Sequence, residues 1–144
     1  MPYLTLLAWV FIFALGYATL SPGSVSIGSG DKLQLCVRAQ QHNCVVDGDT
    51  IRYGGSTIRI EDIDAPETGE PKCAAERGLG RRATHRLREL VNAGPFEVVY
   101  TGGRDEDVYG RKLRRLERDG RSLGDTLIAE GLARRWDGAK RSWC

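Results

Sequence analysis

The chain has 144 residues, 21 of them basic and 19 acidic, for a net charge of +2. That length suggests one domain plus an N-terminal segment, and so small a net charge is by itself weak grounds for a nucleic-acid partner. The four cysteines lack the paired C-x-x-C spacing of a typical zinc site, which argues against that class.

Leu4 to Leu20 is nearly all apolar, and every formal charge lies after Gly30. Residues 1–20 therefore read as a signal peptide or a membrane anchor, with a buried helix as the remaining reading. Gly16-Tyr17-Ala18 offers small residues at plausible cleavage positions, but no Lys or Arg precedes the run. Residues 21–31 are rich in Gly and Ser and read as a flexible linker. The domain is then expected over 32–144.

Lys32 to Val46 should hold an extended lead-in and the first strand. Asp47-Gly48-Asp49 reads as a tight turn or bulge into a strand over Asp49 to Tyr53. Ser56 to Ile63 partly alternates, with Ile58 and Ile60 on one face and Arg59 and Glu61 on the other. Ala65-Pro66 stops that strand, because proline has no N–H for a ladder. If the two segments pair, Asp49 and Asp64 come close together with Arg59 beside them.

Thr68 to Ala75 reads as a loop, followed by a helix over Glu76 to Asn92. Leu79, Ala83, Leu87, Leu90 and Val91 form its apolar face, and Arg77, Arg81, Arg82 and Arg88 its solvated face. Gly94-Pro95 ends the helix. Phe96 to Tyr100 is a strand, Gly102 to Glu106 a turn, and Tyr109 to Glu117 another strand closed by Asp119-Gly120. Ser122 should cap a second helix, with Asp125 three residues on as an imperfect capping box and Leu123, Leu127, Ile128 and Leu132 as its stripe. There is no internal repeat. The pattern predicts an α+β, mostly β domain: a five-stranded Greek-key barrel of the OB type with two helices.

Charge is unevenly spread along this domain. Asp47 to Glu76 holds eight acids and three bases, whereas the residues from Arg77 onward hold sixteen bases and ten acids. An acidic stretch suited to a cation is followed by an arginine-rich half suited to an anionic polymer. Aspartates with waters and a carbonyl would satisfy a hard cation such as calcium. A guanidinium beside them would bind a phosphate, and Glu67 would take a proton from water. Together these are the parts for metal-assisted phosphodiester cleavage. The plain alternative is a polar hairpin with solvated charges.

The marks Asp47-Gly48-Asp49-Thr50, Arg59 to Asp64, Pro66-Glu67-Thr68 and Asp107-x-Tyr109-Gly110-Arg111 occur in an order and spacing that resembles the staphylococcal nuclease (thermonuclease) family. The resemblance covers about residues 42 to 136. It implies the OB fold and a Ca²⁺-dependent nuclease acting on DNA and RNA, in which water attacks phosphorus in line and leaves 3′-phosphate ends. It implies Asp49 and Asp64 as metal ligands, with the backbone carbonyl of Ala65. It implies Glu67 as the residue that orients or deprotonates water, and Arg59 and Arg111 as the phosphate grips. Tyr109 would contact phosphate or stack near a nucleotide. Asp47, Thr50 and Asp107 would support these groups. Two departures stand out. Val108 replaces a lysine found in some members, and the family's third helix after a base-stacking tyrosine is lacking. Trp136 or Trp143 is the candidate replacement for that stacking surface.

Cys36, Cys44, Cys73 and Cys144 allow three pairings. Cys36–Cys44 closes a short local loop and Cys73–Cys144 ties the tail to the loop after Glu67, and this pairing is preferred, with free buried thiols as the plain alternative. Disulfides fit an exported, secreted or periplasmic protein, or one anchored through residues 4–20 with its domain outside the cytoplasm. The substrate is expected to be single-stranded or frayed DNA or RNA, and the protein a monomer. Two other classes remain. One is a non-catalytic OB module that binds nucleic acid or protein, and the other an exported calcium-binding adhesion domain.

Overall fold

Alternating apolar residues drive the sheet. Ile58, Ile60 and Leu116 are buried while their neighbours in the same strands are more exposed, and Val45 and Ile51 are buried together with Cys44 and Thr50 beside them. A computed structural model describes residues 24–27, 32–39 and 41–144. The expected signal or anchor segment lies outside these residues, and among the described helices none is long and apolar enough to cross a membrane.

Ten strand segments and two helices are described. In chain order they are β1 Ser24–Ile27, β2 Gln34–Leu35, β3 Cys44–Asp47, β4 Thr50–Tyr53, β5 Ser56–Ile60, β6 Ile63–Asp64, α1 Ala74–Asn92, β7 Phe96–Val99, β8 Lys112–Arg118, β9 Arg121–Ser122, α2 Leu123–Ala129 and β10 Arg134–Arg135. The main sheet runs β1-β7-β8-β5-β4-β3-β2, with β9 on β8, and β10 pairs separately with β6. β3, β4 and β5 form an antiparallel meander; β8 then pairs parallel with β5 and antiparallel with β7. These five central strands with two helices make an OB-fold-like α+β architecture, as expected, to which the shorter segments are additions.

Several boundaries differ from the sequence reading. The expected linker contains β1, which pairs with β7; its Ser-Val-Ser-Ile alternation is a strand signal outweighed in sequence by the surrounding Gly and Ser. The expected strand Ser56 to Ile63 breaks after Ile60, because the Arg59 side chain takes carbonyls from both sides of the break. Its Nη1 donates to Ile63 O at 2.8 Å and also to Ile60 O. The strand expected from Tyr109 begins only at Lys112, since Asp107 folds Tyr109 to Arg111 into a turn in which Gly110 has φ +76°. α1 begins two residues early, at Ala74. Cys73 is its N-cap, its Sγ accepting from Glu76 N at 3.4 Å.

α1 lies against β3 and α2 and buries Ala83, Leu87, Leu90 and Val91 of its expected face, while Leu79 is only partly covered. Arg77, Arg81 and Arg82 are exposed and Arg88 half-buried. Each fully buried Leu or Ile here, such as Leu87, Leu116 and Leu127, contributes about 1.5–3 kcal/mol. Ser122 caps α2 as expected, accepting from Gly124 N at 3.0 Å, and also donates to Asp62 Oδ2 at 2.6 Å. Asp125 does not complete a capping box; it pairs with Arg135 instead.

The four cysteines form Cys36–Cys44 and Cys73–Cys144, the preferred pairing, with Cα separations of 5.0 and 6.1 Å. The second bond draws residues 137–144 back onto the domain.

Candidate active site

The site grows from the β3–β4 turn and from the break after β5. In the turn, Asp47 Oδ1 accepts the Asp49 amide at 3.2 Å, which aims the Asp49 side chain inward. Asp49 is 8% exposed; its Oδ1 accepts from Thr50 Oγ1 at 3.0 Å and its Oδ2 from Ala65 N at 2.9 Å. Thr50 is thereby a direct support of Asp49. Across the sheet Thr50 pairs with Arg59, whose Nη2 lies 3.3 Å from Asp49 Oδ2 and 3.9 Å from Asp64 Oδ1. The guanidinium therefore sits between the two aspartates, with its other nitrogen fixed by the Ile60 and Ile63 carbonyls.

An open cleft of ≈ 440 Å³ faces this group, lined by Arg59, Asp64, Asp107, Tyr109, Arg111 and Trp136 among others. Arg111 is aimed by Asp107, whose Oδ2 accepts Arg111 Nε at 2.6 Å and whose Oδ1 accepts the amides of Tyr109 and Arg111. Burial alone would raise the Asp107 carboxyl, but these donors together hold it below the usual carboxylate range. Tyr109 is 81% exposed at the cleft mouth, with the Arg111 guanidinium 5.4 Å from its ring centre. Trp136 is 38% exposed, its amide fixed by Asp62 O at 3.0 Å.

Of the five residues expected to converge, Arg59, Asp64 and Arg111 line this cleft. Asp49 lies behind Arg59. Glu67 lines an adjoining cleft of ≈ 480 Å³ with Glu76, Lys140 and Trp143. Its backbone is held by buried Glu76, whose carboxylate accepts from Lys72 N at 2.7 Å and Glu67 N at 3.3 Å. These amide bonds, that of Lys72 first, pull the Glu76 carboxyl below its ordinary value. Glu76 and Lys140 are site neighbours that the sequence reading missed. The preferred Cys73–Cys144 bond was the one signal that the tail would arrive here. Trp143, anticipated as a stacking surface, instead donates its Nε1 to Asp64 Oδ2 at 3.2 Å.

Among the described residues no three His, Cys, Asp or Glu side chains gather closely enough to hold a metal by themselves. Asp49 and Asp64 carry the hard oxygens that calcium takes, but Arg59 Nη2 holds the point between them, so an ion there would share the two carboxylates with that guanidinium. Burial first, then the Asp49 charge, pushes the Asp47 carboxyl up to about 7. Burial likewise raises Asp64, against the Trp143 hydrogen bond. A divalent cation would relieve that crowding.

Fold and site together define a small OB-like α+β protein with an acid–arginine cleft. A model of the family described as "Staphylococcal nuclease homologue" matches residues 57–142. Over 93 residues, 62% of this chain, the sequence is 43% identical to the SPbeta prophage-derived endonuclease YokF of Bacillus subtilis (strain 168) and 41% identical to endonuclease YncB of the same strain. It is 33% identical over 95 residues to the succinoglycan biosynthesis protein ExoI of Rhizobium meliloti (strain 1021). The matched stretch spans 31%, 44% and 48% of those three relatives. The chain belongs to the staphylococcal nuclease homologue family.

Proposed function

We propose that this chain is a calcium-dependent nuclease that hydrolyses the phosphodiester bonds of DNA and RNA within strands, leaving 3′-phosphate ends. One observation carries the reading: Arg59 stands between Asp49 and Asp64 on the wall of the cleft that Arg111 also lines. Two relatives whose names say endonuclease support it.

Arg59 and Arg111 bind the phosphate, and their fixed donors meet the charge that builds on its oxygens as water adds. Arg59 is pre-positioned by two carbonyls and two carboxylates, and Arg111 by Asp107, so little reorganisation accompanies the reaction. Glu67 accepts the proton of the attacking water. Calcium held at Asp49 and Asp64, with the Ala65 carbonyl, would supply further neutralisation of the phosphate. The P–O5′ bond breaks and the 5′-oxygen leaves, taking up a proton from solvent. Exposed Tyr109 and Trp136 offer faces for splayed bases, which favours single-stranded or frayed substrate. Contact with phosphate rather than base edges fits tolerance of either sugar. Two disulfides fit a domain working outside the cytoplasm, secreted, periplasmic or tethered through residues 4–20, as a monomer.

The test is incubation of the protein with heat-denatured DNA in Ca²⁺ or EDTA, beside Glu67→Gln and Arg111→Ala. Metal-dependent degradation that both substitutions cripple is expected. A gel shift without cleavage would instead establish a non-catalytic binding module.

A further inference from the structure

Residues 137–144 fold back across the face of the site, and several contacts pin them there. Cys144 is bonded to Cys73 at the start of α1. Trp143 donates to Asp64, and the Arg134 guanidinium lies 3.7 Å from the centre of the Trp143 ring. Arg134 Nη1 also donates to the Ser142 carbonyl at 2.9 Å. Held between these anchors and β10, Lys140 places its Nζ on Glu67 Oε1. Lys140 lines both clefts, the one with Arg59 and Arg111 and the one with Glu67.

We propose that Lys140 is a substrate-binding residue of this site, a phosphate-contacting cation delivered by the disulfide-pinned tail. The inference rests on the nuclease reading and extends it to a residue outside the Asp-Arg-Glu constellation.

The cations of the site differ in how far they are already engaged. Arg59 is engaged by two carbonyls and two carboxylates, and Arg111 by Asp107 through its Nε. Lys140 has a single carboxylate partner, Glu67, and the two side chains are 56% and 39% exposed. An ion pair that open to water contributes little, so exchanging it for a phosphate costs little. A lysine on a flexible stem makes such a move without rearranging the backbone.

The same exchange resolves a conflict in the resting site. With the Lys140 ammonium on it, Glu67 Oε1 is already engaged. Transfer of Lys140 to an arriving phosphate releases that oxygen and neutralises substrate charge in one motion. No proton moves in this step; Lys140 is an ammonium before and after it. The Cys73–Cys144 bond sets the local concentration of that ammonium at the cleft, because it closes the tail onto α1.

The test compares the wild-type protein with Lys140→Met and Lys140→Arg, each also in a Cys73→Ser/Cys144→Ser background. Binding of a fluorescein-labelled single-stranded oligonucleotide is followed by anisotropy in EDTA, over a salt series. Cleavage in Ca²⁺ is measured alongside. Lys140→Met should weaken binding about tenfold at low salt, the scale of one charged contact. It should also reduce the slope of log K against log salt by about 0.7, the value for one phosphate contact on a single strand. KM should rise more than kcat falls, and Lys140→Arg should restore most of the loss. Without the disulfide, Lys140→Met should change binding less than about twofold, because the two changes act on one contact. Exposed Lys140 tolerates substitution, so the Met and Arg variants decide the matter even where the cysteine variant fails to fold. Unchanged affinity and salt slope in Lys140→Met, or faster cleavage at unchanged KM, would overturn the inference. A wild-type protein that binds the oligonucleotide yet cleaves nothing in Ca²⁺ overturns the nuclease reading instead, and the binding series still judges Lys140.

Discussion

The Asp49 carboxylate accepts the backbone amide of Ala65 at 2.9 Å, joining the turn after β3 to the loop after β6. The same side chain takes Thr50 Oγ1 and faces Arg59, so a candidate ligand is also a structural tie. Removing it leaves a buried amide and a hydroxyl without their acceptor and takes one of two carboxylates from Arg59. Asp49→Ala should therefore lower stability by about 2–4 kcal/mol in urea unfolding, with Asp49→Asn milder. Glu67 is different, because its side chain is 39% exposed. Glu67→Gln should stay within about 0.5 kcal/mol of wild type while losing activity. An unshifted midpoint for Asp49→Ala would remove the structural part of this account.

Asp107 acts through Arg111, gripping both its amide and its Nε. Asp107→Ala should free the guanidinium and reduce kcat/KM by about tenfold, the cost of a lost positioning bond of ~1.4 kcal/mol. Added to Arg111→Ala, it should do little more, since the two substitutions remove the same arrangement. Full additivity in the double-mutant cycle would show that Asp107 has a separate role.

Gly80 lies where α1 passes the loop that carries Glu67. A Cβ there would sit 2.8 Å from Pro66 O and 2.9 Å from Glu67 O, both backbone atoms with little freedom to yield. Gly80→Ala should cost about 1–3 kcal/mol despite the better helix propensity of alanine. It should also impair cleavage, because Glu67 moves with its backbone. A thermal melt showing net stabilisation would contradict the packing described.

Asp47 carries a pH signature. Its folded carboxyl is pushed up to about 7 from an ordinary 3.8, by burial and then by Asp49. The native state therefore holds this proton more tightly than the unfolded state. Its stability contribution is full below the ordinary value, declines as pH rises, and is lost above about 7. Asp47→Asn keeps an oxygen for the Asp49 amide and removes that penalty. In EDTA it should match wild type near pH 4 and exceed it by about 1–2 kcal/mol at pH 8. A difference that does not vary with pH would refute the assignment.

Local chemistry was legible along the chain wherever neighbours in sequence are neighbours in space. The alternation of Ile58 and Ile60 gave the buried face of β5, Ser122 gave the cap of α2, and Asp47-Gly48-Asp49 gave the turn. The adjacency of Asp49, Arg59 and Asp64 followed from pairing two consecutive runs. The strand break after Ile60 was not legible, because it depends on where one guanidinium finds its carbonyl acceptors. β1 was hidden for a related reason. Four residues of weak alternation become a strand only when β7 supplies the partner ladder.

The amino-acid order alone settled both helices, the central strands, the sidedness of their apolar faces and the set of charged groups from which a site is drawn, since those depend on contacts a few residues apart. Only the tertiary structure decided that Glu67 faces Lys140, 73 residues on, and that Asp64 receives Trp143, 79 residues on. A carboxylate's partner is chosen by distances of about 3 Å between segments that the chain must first bring together, and no local pattern encodes that choice.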